Sequence, residues 1–254
     1  MKVLFIGTGA ADWKIEKRQE GEFFRRLTGN MINDDLMIDP GPHIYDYMEK
    51  ENCPNLLDNV KNVLVSHSHG DHFSKETLRR LLAHHPVHVW CNERTAEYVK
   101  ELTEDYTVVH KGEEHVVGNY VVRPVNANHS PLASGEQPLM YVIESEGKRV
   151  FYTPDTAWLP TDTWYAIRKM RFDCMMLEVT LGDVVGDYRI FEHNTIPMME
   201  LMLQTFRKSG LVDENTVLVA THLSKHAHLD HEATSKRFAE LGMLTAYDGF
   251  SVEF

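Results

Sequence analysis

Three histidines and an aspartate fall within six residues in His67-Ser68-His69-Gly70-Asp71-His72, directly behind the apolar run Val63-Leu64-Val65. An apolar run that stops abruptly at Ser, Gly and Asp predicts a buried strand ending at a loop. That loop carries His67, His69, Asp71 and His72 out of the sheet edge together. Imidazole nitrogen and carboxylate oxygen suit zinc, manganese or iron. Four donors in so short a stretch are too many for one tetrahedral centre that also takes ligands from elsewhere. The spacing therefore points to two metals side by side. The competing reading, a surface histidine cluster, fits poorly with a strand end inside folded sequence.

The same arrangement recurs downstream. The run 120–125 breaks at Asn126-Ala127-Asn128-His129-Ser130, the run 149–152 ends in Thr153-Pro154-Asp155-Thr156, and the run 216–220 ends in Thr221-His222. An aspartate after proline is ordinarily a turn residue, but Asp155 stands at a strand end like the others. His226 follows His222 by four residues. It is a candidate to protonate a leaving group or hold a phosphoryl oxygen, against the plainer reading of a solvent-exposed histidine. Lys225, Arg25 and Arg26 are candidate basic groups for a phosphate, or else solvated charges. His84 and His85 close a helix, where positive charge is favourable, and are not ligand candidates.

The elements that must position these residues alternate strand and helix. Residues 2–6 read as a first strand running into Gly7-Thr8-Gly9-Ala10-Ala11, a glycine turn able to cradle an anion but without P-loop or dinucleotide spacing. Residues 16–26 read as a charged loop reaching outward, with Trp13 at the pocket rim or covering the domain edge. Residues 31–39 read as a hairpin ending in Asp39-Pro40-Gly41, and His43 is either near the pocket or a loop histidine. Helices are expected at 44–50, at 75–82 behind a Ser74 cap, at 93–102 behind Asn92, at 161–170, at 196–206 with Pro197 in the first turn, and at 232–241. Further strands are expected at 62–66, 87–91, 139–143 and 174–178, a meander at 108–110, 115–117 and 120–124, and an edge strand at the C-terminus.

Length and charge narrow the classes. A chain of 254 residues can bury one sizeable core. Its 26 Lys and Arg against 38 Asp and Glu give a formal charge of -12, which disfavours long nucleic acid and leaves a small molecule as the expected partner. Three cysteines, Cys53, Cys91 and Cys174, show no metal-type spacing and fit a reducing compartment. With no signal-like start and no membrane-length apolar stretch, the expected location is the cytoplasm. Apolar edge strands offer a route to a homodimer.

The segment from His67 to His72 resembles the HxHxDH signature of the metallo-beta-lactamase superfamily, and the resemblance runs over essentially the whole chain. It implies an α/β fold of the four-layer αββα sandwich type, two mixed sheets flanked by helices, as one domain over residues 1–254. It implies two divalent ions, zinc or manganese and also iron. One takes His67, His69 and His129, the other Asp71, His72 and His222, and Asp155 bridges both. Asp39 is implied as a residue supporting the ligands, and so is His193. Asp71, Asp155 and His226 are the implied catalytic residues of a metal-dependent hydrolase using a metal-bridging hydroxide. Aspartate rather than cysteine at the bridge argues against the zinc beta-lactamases. The glycine-rich start, Asp39-Pro40-Gly41, Thr153-Pro154-Asp155-Thr156 and Ala246-Tyr247-Asp248-Gly249 are similar to the phosphodiesterase branch, in particular the cyclic-phosphate phosphodiesterases of carbon–phosphorus lyase pathways. The chain lacks that enzyme's N-terminal cysteine cluster and the long basic arm of the tRNA nucleases. The expected activity is cleavage of a small phosphodiester, with a lactonase or other carboxylic-ester hydrolase as the alternative. A metal-storing module would not need a bridging carboxylate.

Overall fold

Apolar runs and capped amphipathic segments set the order of elements. The computed structural model describes residues 1–129 and 135–254; Ser130 lies outside the described residues. In chain order come β1 (Lys2–Gly7), β2 (Gly29–Ile32), β3 (Leu36–Ile38), α1 (Ile44–Lys50), β4 (Asn62–Val65), α2 (Lys75–His84), β5 (His88–Cys91), α3 (Glu93–Val99) and β6 (Tyr106–Val108). They are followed by β7 (His115–Val117), β8 (Tyr120–Asn126), β9 (Leu139–Ser145), β10 (Lys148–Thr153), α4 (Thr161–Ile167), β11 (Cys174–Glu178), α5 (Ile196–Ser209), β12 (Val217–Thr221), α6 (His231–Ala239), β13 (Leu244–Thr245) and β14 (Ser251–Glu253). The described residues fall into two compact units, one of 1–110, 135–137 and 247–253, the other of 111–129, 138–246 and Phe254.

The first unit holds a seven-stranded sheet in the order β14-β1-β2-β3-β4-β5-β6. Pairing is antiparallel from β14 to β3 and parallel from β3 to β6. Val63, Val65 and Val89 pack with Ile44 and Tyr47 of α1, Leu78 and Leu81 of α2 and Ala96 and Val99 of α3. Burying each large aliphatic side chain contributes roughly 1.5–3 kcal/mol. Ser74 Oγ accepts from Thr77 N–H at 3.2 Å and Asn92 Oδ1 from Thr95 N–H at 2.8 Å, so both expected caps start their helices.

The second unit repeats the plan with the order β13-β12-β11-β10-β9-β8-β7. Its strands are antiparallel from β7 to β10 and parallel from β10 to β13. Met140, Val142, Phe151, Met175, Leu177 and Leu218 form one core with Met199, Leu203 and Phe206 of α5 and Phe238 of α6. Thr195 caps α5, Pro197 fits its first turn, and Gly210 at φ 78° ends it in the left-handed region. Two mixed sheets flanked by helices are the expected fold class. In both sheets the chemically interesting residues follow the C-terminal ends of strands: Asp39 after β3, His67 after β4, His129 after β8, Asp155 after β10 and His222 after β12.

Four expectations need correction. The first strand of the supposed meander lies at Tyr106–Val108 and pairs in parallel with β5, whereas β7 and β8 open the other sheet. α3 and α4 each stop three residues early, at Val99 and Ile167. Arg25 and Arg26 are buried rather than solvated. The glycine turn is not an anion cradle, because protein groups fill it. A Cβ on Gly7 would lie 1.9 Å from Leu27 O, and Trp13 packs edge-on against Phe24 over Gly9.

The filling groups form a charged network held by Asp248. Its Oδ1 accepts from Thr8 N–H at 3.1 Å and Thr8 Oγ at 2.9 Å, and its Oδ2 from Arg26 N–H at 2.6 Å. Arg25 Nη1 donates to Thr8 Oγ at 2.8 Å, and Arg26 Nε to Asp46 at 2.7 Å. Burial pushes the Arg25 guanidinium down to about 10 and the Asp248 carboxyl up to about 6, the latter against the pull of its donors. Asp248→Ala leaves buried donors with no carboxylate, so a loss of about 3–5 kcal/mol is expected in urea unfolding. A loss below about 1 kcal/mol would show that the network is not structural.

Candidate metal centre

In the first unit the chain turns out of β4 into the histidine loop, and Asp39 governs its geometry. Asp39 is fully buried and sits at φ 55°, a left-handed conformation that aspartate tolerates better than most residues. Its Oδ1 accepts from Ser66 N–H at 2.7 Å, and its Oδ2 accepts from Ser66 Oγ at 2.7 Å and from His72 Nδ1 at 2.8 Å. The His67 ring lies 4.7 Å from that of His69 and 4.4 Å from that of His72. His72 Nε2 faces Asp71 Oδ2 at 3.6 Å. Glu136 anchors the loop from beneath, accepting from Ser68 N–H at 3.0 Å, Ser68 Oγ at 2.6 Å, Asn92 Nδ2 at 2.8 Å and Thr95 Oγ at 3.0 Å.

In the second unit the corresponding governor is Glu178, at the end of β11 and fully buried. It accepts from the N–H groups of Thr156, Thr180 and Asn194 at 3.2, 2.7 and 2.9 Å, and from Thr180 Oγ at 2.6 Å. Asp155 aims one oxygen at each of two imidazoles. Its Oδ1 is 3.0 Å from His222 Nε2 and its Oδ2 is 3.6 Å from His129 Nε2. His222 sits at φ 56°. A non-glycine residue held there stores strain of order 1–3 kcal/mol, a pattern that clusters at functional sites.

The proton positions follow from the partners. His72 Nδ1 meets a carboxylate and His129 Nδ1 meets the carbonyl oxygen of Glu192 at 3.3 Å, so each carries a hydrogen on Nδ1, and Nε2 is the nitrogen that can offer a lone pair. Those Nε2 lone pairs are turned toward carboxylate oxygens of Asp71 and Asp155. Lone pair against anion is repulsive unless a cation or a further ring proton lies between them. The donors are all imidazole nitrogen and carboxylate oxygen on buried, hydrogen-bonded frames, which fits borderline and hard divalent ions. The described residues thus include His/Asp groups capable of binding metal.

The remaining candidates differ in their surroundings. His226 is exposed and lines a cleft of about 330 Å³ with Gly182, Asp183, His228, Leu229 and Arg237. His43 Nδ1 accepts from Leu27 N–H at 3.1 Å, which ties it to the backbone there, and burial holds its pKa below the usual value. His193, read as a supporting residue, stacks 5.1 Å from His129 and 6.0 Å from His222, with Nδ1 3.3 Å from Glu178 Oε1. Burial pushes its imidazole down, and Asp155 and Glu178 together outweigh that and raise its pKa. Glu178, His193 and His222 offer ligand atoms within 4.8 Å of one another, as do His129, Glu192 and His193. The sequence reading missed Glu178, Thr180, Ser66 and Glu136. A lone glutamate ending the apolar run Cys174-Met175-Met176-Leu177 was the available signal for Glu178.

Comparison with known proteins follows the same line. A sequence profile of the Beta-lactamase superfamily domain matches residues 35–223, well over half of the chain. Among solved structures, Zn(2+)-bound PqqB from Methylobacterium extorquens has a TM-score of 0.79 at 16% identity, covering 100% of both chains. The short form of human tRNase Z has a TM-score of 0.70 at 18% identity, covering 100% of this chain and 99% of that one. Unliganded yeast PDE1 has a TM-score of 0.72 at 8% identity, with 100% and 99% covered. No curated protein sequence matches the chain. At these identities the structures share the fold, and the profile match shows the family. The chain belongs to the beta-lactamase superfamily, as a metal-dependent hydrolase of the metallo-beta-lactamase fold.

Proposed function

We propose that the chain is a phosphodiesterase acting on a small phosphodiester, cyclic ones included, with two divalent ions held by both clusters. His67, His69 and His129 would hold one ion, Asp71, His72 and His222 the other, and Asp155 both. The observation that carries this reading is Asp155, whose two oxygens are aimed at two different imidazoles. A carboxylate so placed is built to be shared. Divalent ions at such a site supply Lewis acidity and lower the pKa of water toward neutrality.

The protein's own part is to hold and orient. Asp39 and Glu178 fix the ligand frames, Asp155 orients the attacking water, and His226, on the wall of its cleft, is assigned to hold or protonate the leaving oxygen. The fold shared with tRNase Z and PDE1 supports a phosphodiester substrate, and the formal charge of -12 favours a small one. Nitrogen and oxygen donors leave zinc and manganese as the favoured ions, with iron next.

The test is steady-state hydrolysis with bis(p-nitrophenyl) phosphate, a five-membered cyclic ribose phosphate and a simple lactone, with His69→Ala as blank. The expected result is phosphodiester cleavage that a chelator abolishes and added metal restores. Lactone turnover without phosphodiester turnover would replace this reading with a carboxylic-ester hydrolase on the same residues.

A further inference from the structure

Two hydroxyls stand between a buried carboxylate and a ligand imidazole, one in each unit. Ser66 Oγ donates to Asp39 Oδ2 at 2.7 Å and lies 3.0 Å from His67 Nδ1. Thr180 Oγ donates to Glu178 Oε2 at 2.6 Å and lies 2.9 Å from His222 Nδ1. The backbone repeats the match, since Ser66 N–H and Thr180 N–H donate to the same two carboxylates, each at 2.7 Å. Each hydroxyl is therefore clamped to its carboxylate at two points. Ser66, Thr180, Asp39 and Glu178 are all buried, so water does not compete.

A hydroxyl has one proton to give. With that proton committed to the carboxylate, its oxygen can only accept from the ring. Nδ1 must then carry a hydrogen, and Nε2 is the nitrogen that can offer a lone pair. His222 has a real alternative, because Asp155 Oδ1 lies 3.0 Å from its Nε2 and would accept a proton there. Without Thr180 Oγ that alternative wins, and a ring protonated on Nε2 presents the wrong nitrogen.

We propose that Ser66 and Thr180 are positioning residues that fix the tautomers of His67 and His222 before any metal arrives. The purpose of that tautomer rests on the two-metal reading above. The relay itself does not, and it can be read in protein stripped of metal.

The experiment is imidazole ¹H–¹⁵N correlation on metal-free protein at about pH 9, well above the ordinary histidine pKa, together with zinc affinity measured against a chelating dye. Wild type is expected to show His67 and His222 protonated on Nδ1. In Thr180→Val, His222 is expected to move its proton to Nε2 and zinc affinity to fall roughly 10–100-fold. Thr180→Ser should restore both, which a merely space-filling role for the methyl would not predict. Ser66→Ala, which removes the acceptor facing His67 Nδ1, should lower zinc affinity in the same range. His222 keeping its proton on Nδ1 in Thr180→Val, or carrying it on Nε2 in wild type, would overturn the proposal. Wild type that shows the expected tautomers yet takes up no zinc would sink the two-metal reading and leave the relay standing.

Discussion

Asp155→Ala is expected to leave a folded protein that has lost metal-dependent phosphodiester hydrolysis by on the order of a thousand-fold or more. Asp155 is the carboxylate whose oxygens face His129 on one side and His222 on the other. On the proposed two-ion reading, replacing any one imidazole would remove a donor from one ion, whereas replacing Asp155 would remove a donor from both and leave water without its orienting partner. The fold should survive. What the mutation removes is a carboxylate, and the imidazoles it faces carry no permanent charge. The unfolding midpoint in urea should therefore move little while turnover collapses. A variant with more than a tenth of wild-type turnover would show that Asp155 is not shared.

Asp39→Asn is the second large effect, and it separates ligand positioning from folding. Asparagine is at home near φ 55°, so the backbone has no reason to move. The amide is the difficulty. Both carboxylate oxygens accept from donors, Ser66 N–H on one side and Ser66 Oγ and His72 Nδ1 on the other. Whichever way the amide turns, its NH₂ meets a donor. The His72 ring loses the acceptor that fixes it, and Ser66 loses the outlet for its proton. A 10–100-fold loss of zinc affinity is expected in competition with a chelating dye. Each buried donor left unmatched costs roughly 1–3 kcal/mol, which should appear as an earlier urea midpoint. Unchanged zinc affinity would show that Asp39 supports only the backbone.

What could be read in the sequence was what its own neighbours determine. The histidine loop announced itself because an apolar strand and four donors are adjacent in the chain, and Asp155 and His222 stand at strand ends of the same kind. Helix starts were equally local, as Ser74 and Asn92 show. The failures share one cause, which is distance along the chain. Arg25, Arg26 and the glycine turn looked solvent-facing because Asp248, which accepts from Thr8 and Arg26, lies more than two hundred positions away from both. Thr180 reads as a loop residue until His222, 42 positions on, is seen against its hydroxyl. Glu136 looks like surface charge until Ser68, Asn92 and Thr95 are seen to converge on it. β6 was placed two residues late because half-buried edge residues give a weak alternation signal.

The most direct measurement is a calorimetric titration of zinc into metal-free protein, run in parallel on Asp155→Ala. Two ions per chain, with both sites weakened in the variant, is the result expected of a shared carboxylate. A single ion per chain whose binding is unchanged in Asp155→Ala would contradict it.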